Sequence, residues 1–401
     1  MVTIGLSKGK IGAIQTTMPN KIKPAIIFLG GPDYMKTHLQ SAKKSGFFSI
    51  LIDYNPDCHC RNFCDTFINI SIVNMDQNSI NLIKNEVKEN HWSIINIIPC
   101  GEIAYQSTIG IGEVFNINFQ HLELAFKRNK LKKMSKSSKG FEMPNGGCNL
   151  DNLNIDINKN YFIKDKYSCA GSGVRKVPGI ELNKLTASDL KDRYIEEEVI
   201  GSHIRAGGYS FDKEYFHDVI VDVFFDDKLR YKGMISPPNI SNIVVTKIKK
   251  IFSFLSSQIS INTPISADFI INKDQVFLID MSFNFGSHNY QFSKHLNGLS
   301  AVKKFYNKIS IGNLINIKSK KNSVPKNFFG VVIIWNKLKT KRILDIDCKL
   351  QECSLRISKG EVYPAEVKHI ATCQLKAKTY QEVLDNMLHF ENKDLFVISY
   401  E

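Results

Sequence analysis

Residues suited to binding a phosphate stand together near the middle of the 401-residue sequence. An apolar strand pattern at 161–164 ends in Lys164, and a loop of small residues at 169–175 follows, with glycines at 171 and 173. Glycine lets a loop bring its backbone N–H groups close to phosphate oxygens, and a buried lysine adds a positive charge. The stretch therefore predicts a phosphate-binding loop, and a plain hairpin is the alternative.

A second stretch carries two acids on neighbouring strands of a predicted hairpin. Asp268 lies in one strand and Asp280 in the next, with a turn at 272–275 between them. If the register pairs them, both carboxylates lie among large apolar side chains. Acids buried in this way are costly unless they are paired or bind a cation, and Mg²⁺ commonly takes one or two carboxylates together with substrate phosphates. The pair therefore predicts a magnesium site.

The elements before these stretches follow the pattern of a parallel sheet. An apolar run ends in a glycine pair at 30–31, and an amphipathic pattern at 35–45 leads into a second apolar run at 47–52. A helix pattern at 79–90 and a strand pattern at 94–98 continue the series. Strand, helix and parallel strand in this order form a βαβ unit, so the sequence predicts an N-terminal α/β doubly wound domain.

The rest of the chain predicts two further domains. After a basic helical stretch and a loop-like stretch at 145–160, alternating residues predict antiparallel strands with a helix at 244–258 among them. We expect a doubly wound domain at 1–115 and an α+β domain at 116–320, whose central subdomain spans about 116–200. A small β-rich module is expected at 321–401.

Composition limits the class of protein. With 43% hydrophobic and 23% charged residues, the chain can bury a core large enough for two or three domains. No run approaches the roughly 20 apolar residues of a membrane helix, and residues 1–20 lack the pattern of a signal peptide. We therefore expect a cytoplasmic protein without a membrane partner. Nine cysteines without a secretion signal favour reduced thiols.

Charge and short motifs exclude other classes. A formal net charge of +14 favours polyanionic ligands, but no nucleic-acid-binding signature occurs, so no nucleic-acid partner is expected. The G-x-G-x-x-G and P-loop motifs are absent, which argues against a nicotinamide dehydrogenase. Cys58, His59, Cys60 and Cys64 lack a second pair at zinc-finger spacing, which favours ordinary loop residues over a zinc site.

The order of these segments resembles the ATP-grasp superfamily, particularly its branch with a biotin-carboxylase-like layout. That branch has a doubly wound N-terminal domain, a central subdomain, a nucleotide-binding α+β domain and a small C-terminal β-rich module. The resemblance covers nearly the whole chain in order. It implies that the protein uses ATP with Mg²⁺, for which Mn²⁺ is the alternative.

The resemblance also implies roles for individual residues that contact the nucleotide. The helix residue that reaches the phosphates matches Lys130, with Lys133 as the alternative, and the strand lysine matches Lys164. The hinge that binds adenine matches 194–201, and the acid that holds the ribose matches Asp218. The other implied nucleotide contacts, in the glycine loop and the hinge, are Gly171, Ser172, Gly173, Glu197 and Val199.

The metal positions depart in part from the family pattern. The family's metal-binding acids match Asp268 and Asp280, and Asp280 replaces the usual glutamate with a shorter side chain. Ser282 stands where an asparagine normally completes the metal shell. The resemblance therefore implies a metal site formed by these three residues.

The catalytic positions depart further. Asn284 stands where an arginine usually stabilises the transferred phosphoryl group, and its loss removes a preorganised positive charge. We predict Asn284 and Arg175 as catalytic residues. The alternatives are Asn284 as a metal ligand and Arg205 or His288 as the source of the charge. Residues 202–217 resemble an insertion after the hinge and predict either a mobile loop or a surface hairpin.

The resemblance implies an ATP-dependent carboxylate–amine ligase that forms an amide or peptide bond through an acyl phosphate and releases ADP and phosphate. Amino-acid or peptide ligation ranks above carboxylase and purine-pathway reactions. Ser282 and Asn284 favour a different alternative, a degenerate nucleotide-binding protein without turnover. The expected partners are a small-molecule carboxylate and an amine, and a homodimer is one expected assembly.

Overall fold

The computed structural model describes residues 22–138, 141–148, 153–165, 173–182, 184–186, 188–226, 229–285, 292–293, 300–311, 327–337, 341, 343–348, 353–355, 362, 367–391 and 396–400. Among these residues, no helix combines the length and apolar character needed to cross a membrane. The described elements form a four-stranded parallel sheet, a four-stranded and an eight-stranded antiparallel sheet, and a two-stranded sheet near the C-terminus.

The N-terminal region is a parallel sheet flanked by helices. Its elements are β1 (Lys23–Leu29), α1 (Lys36–Lys44), β2 (Phe48–Asp53), β3 (Thr66–Asn69), α2 (Gln77–Glu89), β4 (Trp92–Pro99) and α3 (Tyr105–Val114). The strand order is β3-β2-β1-β4, and β1 is fully buried from Ala25 to Leu29, as expected of a strand covered on both faces. The predicted doubly wound sheet is thereby confirmed. Strand β3 was not predicted, because it is short and only half-buried.

A small antiparallel sheet follows and has a core of its own. Its elements, with the helices before and within it, are α4 (Glu123–Phe126), α5 (Arg128–Ser138), β5 (Gly146–Gly147), β6 (Asn160–Asp165), β7 (Val174–Pro178), α6 (Gly179–Leu182) and β8 (Arg193–Glu197). The order is β5-β8-β6-β7. Tyr161, Ile163 and Ile195 pack with Leu182 and Leu190 in a cluster separate from the main core. This sheet therefore forms a distinct lobe.

The largest sheet has eight strands and includes C-terminal ones. Its strands and the other remaining elements are β9 (Ser202–Phe211), β10 (Glu214–Phe225), β11 (Tyr231–Ser236), α7 (Asn242–Ser257), β12 (Thr263–Asn272), β13 (Gln275–Ser282), α8 (Ala301–Ile311), β14 (Phe328–Lys337), β15 (Ile343–Cys348), β16 (Cys353–Leu355), β17 (Val367–Ala377), α9 (Tyr380–Glu391) and β18 (Phe396–Tyr400). The order is β13-β12-β9-β10-β11-β14-β17-β16, while β15 pairs with β18. Since β14 pairs with β11, part of the predicted C-terminal module extends this sheet.

Residues 202–217 are not the insertion that the sequence predicted. They include β9, a central strand that pairs with β12 on one side and β10 on the other. The glycines at 207 and 208 suggested a flexible loop, but here Gly208 permits a close approach between β9 and β10. A Cβ atom on Gly208 would lie 2.1 Å from the carbonyl oxygen of Phe216.

We expect Gly208→Ala to destabilise the protein by about 1–3 kcal/mol, because the added methyl group forces the two strands apart. Gly147→Ala is the control, since its Cβ would first meet Leu153 at an ordinary 3.6 Å. Chemical denaturation would measure the free energy of unfolding of both variants. Equal stability of the two variants would contradict the close approach of β9 and β10.

The cysteines follow the prediction only in part. Cys58, Cys60 and Cys64 are free thiols, and burial raises the pKa of Cys60 to about 12. No group of three metal-ligating side chains occurs among the described residues, which include this cluster. Cys373 is disulfide-bonded, and it lies opposite Cys353 on the neighbouring strand. This corrects the expectation that all nine thiols are reduced.

Candidate active site

A cavity of about 390 Å³ separates the small lobe from the edge of the eight-stranded sheet. Strand β6 and residues 196–201 line it from the lobe, and β12 and β13 line it from the large sheet. The start of α5 and Glu102, just after β4, also line it. Six separate stretches of the chain thus converge on one cavity of ligand-binding size.

A buried ion pair forms the lobe side of the cavity. The ammonium group of Lys164 on β6 pairs with a carboxylate oxygen of Glu196 on β8 and donates to the carbonyl of Ile279 at 3.3 Å. Burial lowers the pKa of Lys164, although the charge of Glu196 opposes this effect. The second oxygen of Glu196, Oε2, is buried without a hydrogen-bond partner among the described residues. The pair thus places a cation beside a buried acceptor oxygen that has no hydrogen-bond partner among the described residues.

The helix cation at the cavity is Arg128, not the predicted Lys130. Arg128 is the first residue of α5, and it donates to the carbonyl of Ile279 at 2.6 Å and pairs with Asp280 at 3.0 Å. Lys130 pairs with Glu123 at 3.2 Å on the surface and does not line the cavity. Residues two apart on a helix do not share a face, which is why both cannot point into the cavity.

The two predicted acids meet as the hairpin pattern required. Asp268 on β12 and Asp280 on β13 are partners in the antiparallel register, and both line the cavity. Each carboxylate contacts an arginine: Arg205 binds Asp268, and Arg128 binds Asp280. Burial alone would raise the pKa of Asp268, but Arg205 and His203 outweigh it and hold that pKa well below its usual range.

The donor set fits one divalent cation better than the predicted site of three residues. Both oxygens of Asp268 accept hydrogen bonds from Arg205, at 2.9 and 2.7 Å. Oδ1 of Asp280 contacts Arg128 and accepts from the backbone N–H of Met281 at 2.8 Å. Only Oδ2 of Asp280 has no such contact within the described part of the chain. This oxygen could hold a cation together with phosphate oxygens.

Ser282 and Asn284 lie outside the cavity lining. Ser282 Oγ is 2.8 Å from Ser266 Oγ on the neighbouring strand, and Ser266 Oγ also donates to the carbonyl of Asn284 at 3.2 Å. The Asn284 amide lies near the chain turn at Gly101. The short serine hydroxyl therefore bonds within the sheet, and its assignment as a metal ligand stays a prediction that these contacts do not support.

Arg175 and Asp218 also point away from the cavity. Arg175 is exposed on β7, while its neighbour Val174 lines the cavity, because successive residues of a strand face opposite sides. Asp218 lies in the middle of β10, which begins at Glu214, four residues before the predicted start. It accepts a hydrogen bond from Ser293 at 2.7 Å and lies 4.0 Å from Lys304 on α8. These positions do not support the predicted phosphoryl and ribose contacts.

The structure describes the predicted hinge and only part of the predicted glycine loop. Glu197 and Val199 line the cavity, and Glu197 pairs with Lys159. Gly173 has a left-handed φ of +73°, and a Cβ there would collide with the Asp165 side chain, so glycine is required. The predicted contacts Gly171 and Ser172 lie outside the described residues, as does the alternative His288.

Four cavity residues were missed by the sequence analysis: Arg128, Glu196, His203 and Glu102. Arg128 and Glu196 each lie within two residues of a predicted contact. The sequence analysis therefore identified the right segments but not the residues in them that face the cavity. His203 and Glu102 carry no local signal, since they reach the cavity through strand register and the approach of the N-terminal sheet. Burial and the nearby Asp280 raise the pKa of Glu102.

Comparison with solved structures gives the fold. An L-amino acid ligase from Bacillus licheniformis superposes with a TM-score of 0.75 at 12% identity, covering 94% of this chain and 99% of that one. Phosphoribosylglycinamide synthetase from Anaerococcus prevotii gives 0.68 at 15% identity, with 94% and 100% covered. The biotin carboxylase domain dimer of Hydrogenobacter thermophilus 2-oxoglutarate carboxylase, solved with MgADP, ADP and bicarbonate, gives 0.68 at 14% identity, with 94% and 90% covered.

These neighbours are ATP-grasp enzymes, and their likeness extends over nearly the whole chain. The chain therefore has the ATP-grasp fold that its segment order predicted. No family model and no curated protein sequence matches the chain. At 12–15% identity the likeness establishes the fold alone.

Proposed function

We propose that the protein is an ATP-dependent carboxylate–amine ligase that releases ADP and phosphate. The observation that carries this proposal is the buried Lys164–Glu196 pair, which opens onto a cavity between two lobes. A buried cation beside an acceptor oxygen without a partner among the described residues is suited to a ligand with phosphates and an amino group. The fold likeness to an L-amino acid ligase supports amino acids as substrates.

The lobe side of the cavity is the proposed nucleotide site. The buried Oε2 of Glu196 would accept from the adenine amino group, and the backbone at Glu197 and Val199 lies beside it. Lys164 and Arg128 both donate to the carbonyl of Ile279, so they would face the phosphates side by side, Lys164 as a point charge and Arg128 as a planar donor. The chain itself thus supplies two cations to a highly anionic ligand.

The proposed substrates lie between Asp280 and Glu102. Open parallel sheets bind ligands beyond the carboxyl ends of their strands, and Glu102 follows β4 at that edge. A substrate carboxylate there would attack the γ-phosphorus to give an acyl phosphate and ADP. The amine nitrogen would then attack the acyl carbon, phosphate would leave, and the amine proton would pass to solvent.

The chain's own residues contribute mainly by positioning and electrostatics. A divalent cation bound with the nucleotide would neutralise phosphate charge as the phosphoryl group transfers. Arg128 and Lys164 would hold the phosphates in place, and the two lobes would exclude water from the acyl phosphate. Mg²⁺ or Mn²⁺ use and a homodimeric assembly remain predictions.

A screen of carboxylates and amines tests the proposal. ADP and phosphate release should require both an acceptor carboxylate and an amine, and amino-acid pairs are the first to try. The amide product, detected by mass spectrometry, should appear in equal amount to ADP. Nucleotide binding with no turnover for any pair would favour the alternative, a nucleotide-binding protein without ligase activity.

One observation specifically supports that alternative. Arg205 neutralises Asp268, one of the two acids that the family resemblance assigns to metal binding. A second cation then has no free carboxylate at this position among the described residues. Binding without turnover is therefore our second candidate function, and the substrate screen separates the two.

A further inference from the structure

The Arg205 side chain lies at the edge of the cavity and is held there by several contacts. Its Nε and Nη2 donate to separate oxygens of Asp268 at 2.9 and 2.7 Å, which is the bidentate geometry of an arginine–carboxylate pair. Nη2 also donates to the Tyr231 hydroxyl, and the guanidinium lies 5.0 Å from the centre of that ring. Its position is thus fixed by a carboxylate and an aromatic ring.

The pairing leaves little of Asp268 for any other partner. Besides both contacts from Arg205, Oδ1 lies 3.1 Å from His203 Nε2. The Asp268 side chain is only 14% exposed, and the Arg205 side chain is 22% exposed. A metal that bound Asp268 would have to displace a half-buried guanidinium and leave it unpaired near a second positive charge. That exchange is costly, because a buried charge without its partner is strongly destabilising.

Asp280 differs from Asp268 both in its exposure and in its contacts with arginine. Its side chain is 48% exposed, and Arg128 contacts only one of its oxygens. Oδ2 is therefore left for a cation that arrives with the nucleotide. The two acids are register partners on neighbouring strands, so they would otherwise form a symmetrical pair. The two arginines make them unequal.

We propose that Asp268 is the anchor of Arg205 and not a metal ligand, so that the cavity takes one divalent cation per nucleotide, through Asp280. The fixed guanidinium of Arg205 already supplies the positive charge that a second cation at Asp268 would otherwise supply. Arg205 is thus a positioning residue that sets the number of cations. This inference rests on the proposed nucleotide binding and adds the metal count.

The test counts Mn²⁺ ions bound to the full chain with a non-hydrolysable ATP analogue, by electron paramagnetic resonance. The wild type should bind one Mn²⁺ per nucleotide, and Asp268→Asn should still bind one. Arg205→Met frees both oxygens of Asp268 and should raise the count to two. Arg205→Lys keeps the charge and should leave the count at one.

Arg230→Met is the matched control, because it removes an arginine from another arginine–aspartate pair, with Asp226, outside the cavity lining. Its count should stay at one. Two Mn²⁺ ions in the wild type, or loss of the single ion in Asp268→Asn, would overturn the inference.

Nucleotide affinity is measured separately, by fluorescence with a labelled analogue. Failure of the wild type to bind nucleotide would overturn the proposed function. In that case, the number of bound Mn²⁺ ions would be compared between the wild type and Asp268→Asn with Mn²⁺ alone. Unequal numbers would overturn the inference about Asp268, and equal numbers would support it. If Arg205→Met does not fold, Asp268→Asn and Arg205→Lys decide the metal count.

Discussion

Lys164→Met is expected to weaken ATP binding by about 10- to 100-fold, the amount that a charged hydrogen bond contributes. The substitution removes the buried cation on the lobe side of the cavity. It also leaves Glu196, which is 2% exposed, without its charged partner. Unpairing a buried carboxylate costs about 3–5 kcal/mol, so the variant should also be less stable. Isothermal titration with ATP and chemical denaturation would measure the two effects.

A double variant separates binding from stability. In Lys164→Met with Glu196→Gln, no buried charge is left unpaired, so most of the lost free energy of unfolding should return. Glutamine retains an oxygen acceptor for an amino group, but the cation is still missing. ATP affinity should therefore remain low while stability recovers. If either variant bound ATP as tightly as the wild type, Lys164 would not be part of the nucleotide site.

Asp280→Asn is expected to reduce turnover by about 100-fold or more, within the range seen when one preorganised electrostatic contact is lost. Asparagine has no negative charge to pair with Arg128 or to hold a cation. The Asp280 side chain is 48% exposed, but Arg128 is only 13% exposed and loses its charged partner, so the free energy of unfolding should also fall. Steady-state ADP release with a productive substrate pair would measure turnover, and ATP titration in the presence of Mg²⁺ would measure binding.

The control for this variant is Asp274→Asn. Asp274 lies in the turn of the same hairpin, exposed and outside the cavity lining, so neither turnover nor affinity should change. If Asp280→Asn matched this control in both measurements, Asp280 would have no role in nucleotide use. A loss of stability with turnover and affinity unchanged would instead show that its pair with Arg128 is structural.

The segment order was predictable because it depends on local patterns. The βαβ series, the strand that carries Lys164 and the hairpin that pairs Asp268 with Asp280 each follow from the periodicity of neighbouring residues. A hairpin with a short turn fixes its own register, so two acids twelve positions apart could be placed opposite each other from the sequence.

Predictions that depended on the direction in which a side chain faces are not supported by the placement of those residues. The basic stretch before residue 140 reaches the cavity through Arg128 and not through Lys130, because the start of α5 and its contact with Ile279 select one helix face. Asp218 was assigned to the ribose on the assumption that it opened a strand, whereas the strand begins earlier and turns it toward α8.

The sequence by itself determined the elements, their order and the types of charged residue that they carry. Only the tertiary structure decided which of these charges meet. Residues 202–211 form a central strand because β10 and β12 hydrogen-bond to it on both sides, and this pairing brings Arg205 onto Asp268. Contacts between distant segments depend on strand order and packing, which no local pattern of residues encodes.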